Sequence, residues 1–275
     1  METQNPHPQI EALRAGWEES VRSTIAIGRS LNEEQWCMPS PCPGWRLKDL
    51  ISHLIGIEEI LLDPDRDVTE SVSEKPWIKN SFGQFNEVAV DLRRDRLGTE
   101  ILTEFENVVD VRNSAWKVDT RTPDLDVFFA PVGQVQLGLL LWRRVFDAWA
   151  HNQDLRMPLG LSGDLDGTAA TLVYRQVTQL LPVTFAKKCA APIGSSIAIT
   201  VSGPGGFNYG AMVNDQGRGE FIKTPVVNPT VSIKMSTHDW YLLACGREGR
   251  ENAAVAIEGD QELATRVLAN FTITP

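Results

Sequence analysis

The spacing of apolar residues changes near Gly160, and this change constrains the fold more than any other feature of the 275-residue chain. Before Gly160, apolar residues recur three and four positions apart over long segments, which is typical of amphipathic helices. After Gly160, short runs alternate apolar and polar residues between glycine, proline and asparagine, which is typical of strands joined by turns. We therefore predict a helical domain over residues 1–160 and a mixed domain over residues 161–275.

Four amphipathic segments make up the predicted helical domain. The pattern predicts helices over residues 9–29, 46–62, about 82–111 and about 132–155. Loops of unequal length join these helices, among them a polar one over residues 63–80 that contains two prolines. An up-and-down four-helix bundle is the simplest arrangement for four such helices, because each helix can bury its apolar stripe against the others.

The second domain is predicted to begin with a helix over residues 169–186 and then to consist mainly of strands. Short alternating runs predict strands over residues 196–201, 209–214, 220–224, 230–235 and 253–260. Two further helices are predicted at residues 237–246, with Thr237 as N-cap, and at residues 261–271. Short strands joined by turns favour a small α+β domain with a mostly antiparallel sheet.

The composition argues against several classes of partner. The net charge is −10 and the sequence has no basic cluster, whereas a nucleic-acid surface needs clustered lysine and arginine. No apolar run approaches the roughly 18 residues of a membrane-spanning helix, and the first residues lack the order of a secretory signal. The four cysteines are scattered without C-x-x-C spacing, so we expect reduced thiols and a cytoplasmic location.

A carboxylate and an imidazole lie four residues apart in a very apolar helical segment. Asp147 and His151 belong to VFDAWAHNQDLR, and this spacing places both side chains on one face of the helix. Such a pair can supply two ligands to a divalent metal ion, and a catalytic zinc ion typically needs a third protein ligand. Of the remaining histidines, His53 is the candidate because it falls on the buried face of the second predicted helix.

The same residues also have an interpretation without a metal. A single histidine on an apolar face usually forms a hydrogen bond with a neighbouring side chain. Asp147 can pair with Arg143 or Arg144 on its own helix. Because D-x-x-x-H is a weak motif, the spacing alone leaves both interpretations open.

Two segments resemble the motifs of a known family. The first segment, at residues 41–54, reads PCPGWRLKDLISHL and is similar to a C-P-G-W-[ST]-x-x-D-[LV]-x-x-H-[LV] signature. The second segment, at residues 143–160, reads RRVFDAWAHNQDLRMPLG and is similar to an R-x-x-E-x-W-x-H-x-x-D-x-R segment. Both motifs, in this order, resemble those of the mycothiol-dependent maleylpyruvate isomerase family. The resemblance implies a DinB-like four-helix bundle followed by a sterol-carrier-like C-terminal domain.

The resemblance also implies a set of cofactors and ligands. A divalent metal, usually zinc, would be held by His53, Asp147 and His151, and mycothiol would be the thiol substrate. The family has glutamate at the position of Asp147. Because aspartate is one methylene shorter, the metal must lie closer to the fourth helix or bind more weakly.

A further residue is implied in the second domain. The family carries an arginine, implicated in activity, in a helix-ending L-x-G-R element, and YLLACGREGR places Arg247 at that position. The resemblance implies a catalytic and cofactor-binding role, in which the guanidinium binds a carboxylate of the substrate or thiol. The alternative is a surface arginine that interacts with the negative end of the helix dipole.

These residues together lead to a functional prediction. A thiol that coordinates a metal at the predicted site loses its proton at neutral pH and becomes a nucleophile. We predict a metal-dependent enzyme in which a mycothiol thiolate attacks an electrophilic carbon in S-transfer or thiol exchange, on a substrate that could be a specialised metabolite. Two alternatives stay open: cis–trans isomerisation of maleylpyruvate, and a metal-free bundle that binds a small molecule or a regulatory partner.

Overall fold

The structure is a computed structural model, and it describes residues 8–64, 72, 74–130, 132–222, 224–247 and 249–274. The described residues divide into two compact units, one that ends at Asp164 and the other of residues 165–274. The boundary thus lies a few residues after Gly160, where the apolar pattern changes. Within the described ranges, no helix combines the length and the apolar character needed to cross a membrane.

The first unit is a helical bundle with a short hairpin. Its elements are α1 (Ile10–Gly28), α2 (Glu33–Trp36), α3 (Leu47–Leu62), α4 (Ser81–Asp91), α5 (Gly98–Val118), β1 (Asp126–Phe129), β2 (Gly133–Gln136) and α6 (Leu137–Arg156). Helix α1 packs on α5 and α6, while α3 packs on α4, α5 and α6. The predicted bundle is therefore confirmed, with α1, α3, α5 and α6 as its long helices.

Helix α3 illustrates how the apolar spacing builds the core. Leu50, Leu54 and Ile57 lie on its inner face and are each at least 95% buried. Burial of a side chain of this size contributes about 1.5–3 kcal/mol, which fixes the face that α3 turns inward. His53 lies on the same face and is therefore drawn into the core together with its apolar neighbours.

The segment predicted as one helix over residues 82–111 is two helices, α4 and α5, and this prediction was wrong. Between them, the guanidinium of Arg93 bonds to Glu104 at 2.6 Å, and that of Arg94 bonds to Glu87. Gly98 then packs so closely on Trp36 that a methyl group there would lie 2.1 Å from the indole. These tertiary contacts turn the chain at a point where the local pattern would have continued the helix.

The fourth predicted helix begins at Leu137 rather than near residue 132, because a hairpin precedes it. Strands β1 and β2 are antiparallel, with Val127 opposite Val135. Gly133 has φ of +86°, a conformation that suits glycine at a tight turn. The predicted loop over residues 63–80 falls partly outside the described residues.

The second unit is an α+β domain built on a five-stranded sheet. Its elements are α7 (Thr168–Thr178), α8 (Leu181–Val183), β3 (Ser196–Ser202), β4 (Phe207–Val213), β5 (Gly219–Phe221), β6 (Val231–Ser236), α9 (Thr237–Ala244), β7 (Ala256–Gly259) and α10 (Gln261–Ala269). The strand order is β5-β4-β3-β6-β7. Strands β3 and β6 are parallel and the other three pairings are antiparallel, so the mostly antiparallel sheet is confirmed.

Two local predictions in this unit were wrong. The helix predicted over residues 169–186 is interrupted after Thr178, and the next short helix contains Pro182, which lacks the N–H that a continuous helix needs. The N-cap of α9 is Ser236 instead of Thr237, since the Ser236 hydroxyl accepts a hydrogen bond from the Asp239 backbone N–H at 3.1 Å. The Thr237 hydroxyl donates instead to the carbonyl of Ser202.

Candidate metal-binding site

The structure brings together the three side chains predicted as metal ligands. Helix α3 carries His53, and α6 carries Asp147 and His151 one turn apart. Nε2 of His53 lies 3.2 Å from Oδ2 of Asp147, and Nε2 of His151 lies 3.5 Å from Oδ1 of the same carboxylate. The centroids of the two imidazole rings are 4.9 Å apart. Three potential ligands from two helices therefore face one another.

The chemistry and spacing of these donors fit a small divalent ion. Two imidazoles and one carboxylate are a ligand set found in catalytic zinc sites. Ligand atoms bound at about 2.0–2.1 Å in a tetrahedral zinc site lie roughly 3.3 Å apart. The observed separations of 3.2 and 3.5 Å are close to this value. The shorter side chain of Asp147, compared with glutamate, thus still reaches both histidines.

Access to the cluster is asymmetric. The side chains of His53 and His151 are 4% and 8% exposed, whereas that of Asp147 is 26% exposed. Solvent and small molecules can therefore approach beside the carboxylate, while the imidazoles are held in the core. A divalent ion bound here would have protein ligands on its buried side, and a coordination position left open by three protein ligands is the pattern of a catalytic site.

Burial and charge set different protonation states for the three groups. Burial lowers the pKa of His53 below its usual range, and the attraction of Asp147 compensates only in part. Burial also acts to lower the pKa of His151, but Asp147 and a hydrogen bond to Asp154 outweigh it and hold this pKa well above its usual range. For Asp147, burial acts to raise the pKa, but Arg144 and the two histidines hold it well below normal. The carboxylate is therefore ionised and His151 carries a proton that a metal ion must displace.

This displacement predicts a pH dependence of metal affinity. Ligation requires the neutral imidazole, and the pKa of His151 lies above the ordinary histidine value of 6.5. Apparent affinity should therefore rise by about tenfold per pH unit from 6.5 upward, and level off once pH exceeds the raised pKa. Competition titrations with a chelator of known affinity measure this slope. A profile that stays flat as the pH rises above 6.5 would show that no proton is displaced at His151.

Asp147 is held in place by a chain of buried charges. Nη1 of Arg144 donates to Oδ2 of Asp147, while its Nε donates to Glu58 at 3.0 Å. Glu58 also accepts from Nε of Arg112 at 3.0 Å and from the indole N–H of Trp17 at 2.9 Å. Asp147 therefore does pair with an arginine of its own helix, namely Arg144. The same carboxylate also lies close to both histidines.

His151 has a partner on each side of its ring. Nδ1 of His151 lies 2.8 Å from Oδ2 of Asp154, which is fully buried. In a neutral His151, this contact places the ring proton on Nδ1 and leaves Nε2 unprotonated toward Asp147. His53 differs, because its buried Nδ1 has no hydrogen-bond partner among the described residues. The arrangement of His151 is that of a metal ligand oriented by a second carboxylate.

The structure places Trp45 beside the cluster. The ring centroid of Trp45 lies 5.2 Å from that of His53 and 6.0 Å from that of His151. Its indole N–H donates to the buried carboxylate of Glu87 at 2.9 Å, which fixes the orientation of the ring. The only sign of this location in the sequence is that Trp45 belongs to the PCPGW motif, which also contains Cys42. The thiol of Cys42 lies 3.3 Å from Asp154, a contact that sequence reasoning missed.

Arg247 lies in the second unit, three residues after the end of α9. Its side chain is buried, and Nη1 donates to the carbonyl of Cys245 at 2.8 Å. Because Cys245 is the C-cap residue of α9, the contact with the helix end that the alternative proposed is formed, although the side chain is buried and does not lie on the surface. The role of Arg247 toward a ligand stays a prediction.

Three comparisons with known proteins bear on this site. Residues 10–156, more than half of the chain, match the family model described as the mycothiol maleylpyruvate isomerase N-terminal domain. The crystal structure of the mycothiol-dependent maleylpyruvate isomerase is similar with a TM-score of 0.57 and 16% identity, over 93% of this chain and 96% of that chain. A histidine-to-alanine mutant of that enzyme gives a TM-score of 0.53 and 15% identity over the same shares. Identities this low show a shared fold alone.

Two further comparisons carry less weight. The sterol carrier protein domain 2 of Helicoverpa armigera aligns with 39% of this chain and 88% of its own, at 18% identity and a TM-score of 0.27. A TM-score this low supports no argument, so the sterol-carrier-like character of the second unit stays a prediction. No protein in the curated set matches the chain.

Proposed function

Because the chain belongs to the mycothiol maleylpyruvate isomerase family through its N-terminal domain, we propose that it is a metal-dependent enzyme that uses mycothiol to isomerise maleylpyruvate from cis to trans. The observation that carries this proposal is the convergence of His53, Asp147 and His151 inside the matched domain. The matching family and the enzyme of similar fold are both described as isomerases. They therefore support isomerisation better than the S-transfer that the sequence first suggested.

In this proposal, each residue of the cluster has a defined task. His53, Asp147 and His151 would hold a divalent ion, most simply zinc, and the ion would supply thiol activation, since a coordinating thiol is deprotonated. Asp154 would hold the remaining ring proton on Nδ1 once the ion has displaced the proton from Nε2 of His151, and Arg144 keeps the carboxylate of Asp147 ionised and oriented. The exposed side of Asp147 gives the thiol and the substrate access.

The reaction consumes neither thiol nor proton. The sulfur of the thiolate forms a bond to one carbon of the cis double bond, and the π electrons move toward the conjugated carbonyl. Rotation about the resulting single bond, followed by cleavage of the carbon–sulfur bond, restores the double bond in the trans form and releases the thiolate. The chain contributes by positioning the thiolate and by excluding water around the buried imidazoles. Arg247 is proposed to bind a carboxylate of the substrate or thiol.

A specific observation keeps S-transfer as the second candidate. Asp147 stands where the family pattern has glutamate, so one ligand of this chain departs from the isomerase pattern. In S-transfer the carbon–sulfur bond would persist in the product, and each turnover would consume one thiol. The two functions therefore share the same activated thiol and differ in the fate of the adduct.

An assay of maleylpyruvate conversion with and without mycothiol tests the proposal. We expect trans product to form in the presence of mycothiol, with the thiol concentration unchanged after many turnovers. Stoichiometric loss of thiol together with a stable adduct would support S-transfer instead. A metal-loaded protein that neither converts maleylpyruvate nor consumes thiol would contradict the proposed isomerisation.

A further inference from the structure

A second group of metal-ligand side chains lies on the far side of His151. It consists of Cys42, His151 and Asp154, called here the thiol-containing set. Oδ2 of Asp154 lies 2.8 Å from Nδ1 of His151 and 3.3 Å from Sγ of Cys42. One potential ligand atom from each of the three residues lies within 4.8 Å of those of the other two. This set shares His151 with the site described above but contains neither His53 nor Asp147.

The set is assembled by the fold from two distant parts of the chain. Cys42 belongs to the loop that precedes α3, and its backbone N–H is held by the hydroxyl of Ser40 at 3.1 Å. His151 and Asp154 project from the last turns of α6, three residues apart. Asp154 is fully buried, whereas Cys42 is partly exposed.

We propose that Cys42, Nδ1 of His151 and Asp154 form a second metal-binding position that prefers thiophilic divalent ions such as Cd²⁺. A thiolate, an imidazole and a carboxylate are ligands that such ions accept together, and the thiolate favours soft ions over Mg²⁺ or Ca²⁺. Binding forms bonds from the ion to sulfur, nitrogen and oxygen. The Cys42 S–H and the His151 Nδ1–H lose their protons to solvent in the process.

Occupation of this position has a consequence for the first one. The ion replaces the hydrogen bond between Nδ1 of His151 and Asp154, which orients the ring toward Asp147. The two positions therefore compete for His151, and a soft ion bound at the thiol-containing set would weaken binding of a second ion by His53 and Asp147. The inference concerns metal binding alone and does not depend on the proposed reaction.

Cadmium titration of the full-length protein tests this inference. A cadmium–thiolate bond gives a charge-transfer absorbance in the ultraviolet, which reports a bond to cysteine and not to histidine or carboxylate. We expect a band that saturates at stoichiometric Cd²⁺ and that disappears in Cys42→Ser. Cys37→Ser is the matched control, because Cys37 is the exposed cysteine nearest in sequence. Asp147→Asn, which disables the first position, should keep the band.

Three results would overturn the inference. The first is that the wild-type protein gives no band, and the second is that the band survives in Cys42→Ser. The third is loss of the band in Asp147→Asn, because Cys42 would then bind an ion held by the first position. Circular dichroism establishes that each variant is folded. Cys42→Ala provides a second test of the thiol if the serine variant does not fold.

Discussion

His151→Ala is expected to abolish thiol-dependent turnover, with kcat/KM reduced by at least about a thousandfold, or ~4 kcal/mol of transition-state stabilisation. His151 supplies one of three ligand groups and is itself oriented by Asp154, so its loss leaves one imidazole and one carboxylate to hold the ion. The measurement is kcat/KM for maleylpyruvate at saturating mycothiol, with the metal content of the same sample determined in parallel.

His238→Ala is the matched control for this prediction. His238 is an exposed histidine of α9 in the second unit, so its replacement should change neither turnover nor metal content. If His151→Ala retained metal and activity to the same extent as His238→Ala, the assignment of His151 as a ligand would be wrong. Near-normal metal content with lost activity would instead place His151 in catalysis without ligation.

Glu58→Gln is expected to lower the free energy of unfolding by about 3–5 kcal/mol. Glu58 is 1% exposed and accepts hydrogen bonds from Arg112, Arg144 and Trp17. Glutamine has almost the same shape but no charge, so two buried guanidinium groups would lose their shared counter-ion. Removal of one partner from a buried ion pair is costly because the remaining charge stays desolvated. Urea denaturation of the wild type and the variant measures the difference.

An exposed ion pair provides the control for Glu58→Gln. Glu106 bonds to Arg29 at 2.7 Å, but the Arg29 side chain is 67% exposed. Glu106→Gln should therefore change the free energy of unfolding by less than about 1 kcal/mol. Equal losses in the two variants would show that burial of the Glu58 network does not determine its contribution. A loss confined to Glu58→Gln would show that the Glu58 network contributes to stability because its charges are buried.

The proximity of His53, Asp147 and His151 could be predicted from helical geometry because each part of the pattern is local, whereas their role as metal ligands was implied by the family resemblance and stays a prediction. Four-residue spacing on one helix placed Asp147 beside His151, and apolar periodicity turned His53 inward on another. The bundle then brought the two faces together. The contact of Cys42 with Asp154 joins residues 112 positions apart, and no spacing rule relates a turn to the end of a distant helix.

The same difference between local patterns and long-range contacts explains which parts of the fold were predicted correctly. Long periodic segments such as α1, α3 and α6 were predicted because their apolar stripes are continuous. The break between α4 and α5 was missed because Arg93 and Arg94 find their carboxylates through tertiary pairing. The β1–β2 hairpin was missed because two four-residue strands carry too few residues to establish a period.

The most direct test of the account is elemental analysis of the purified wild-type protein alongside His53→Ala. His53 is the ligand contributed by α3, so the variant removes the interhelical part of the cluster and leaves α6 intact. We predict about one divalent ion per chain in the wild type and a strongly reduced content in the variant, since a catalytic metal site is built from three protein ligands. Equal metal content in both proteins when Cys42→Ser is also present in each, so that the thiol-containing set cannot hold the ion, or none in either after growth with added zinc, would contradict the metal site.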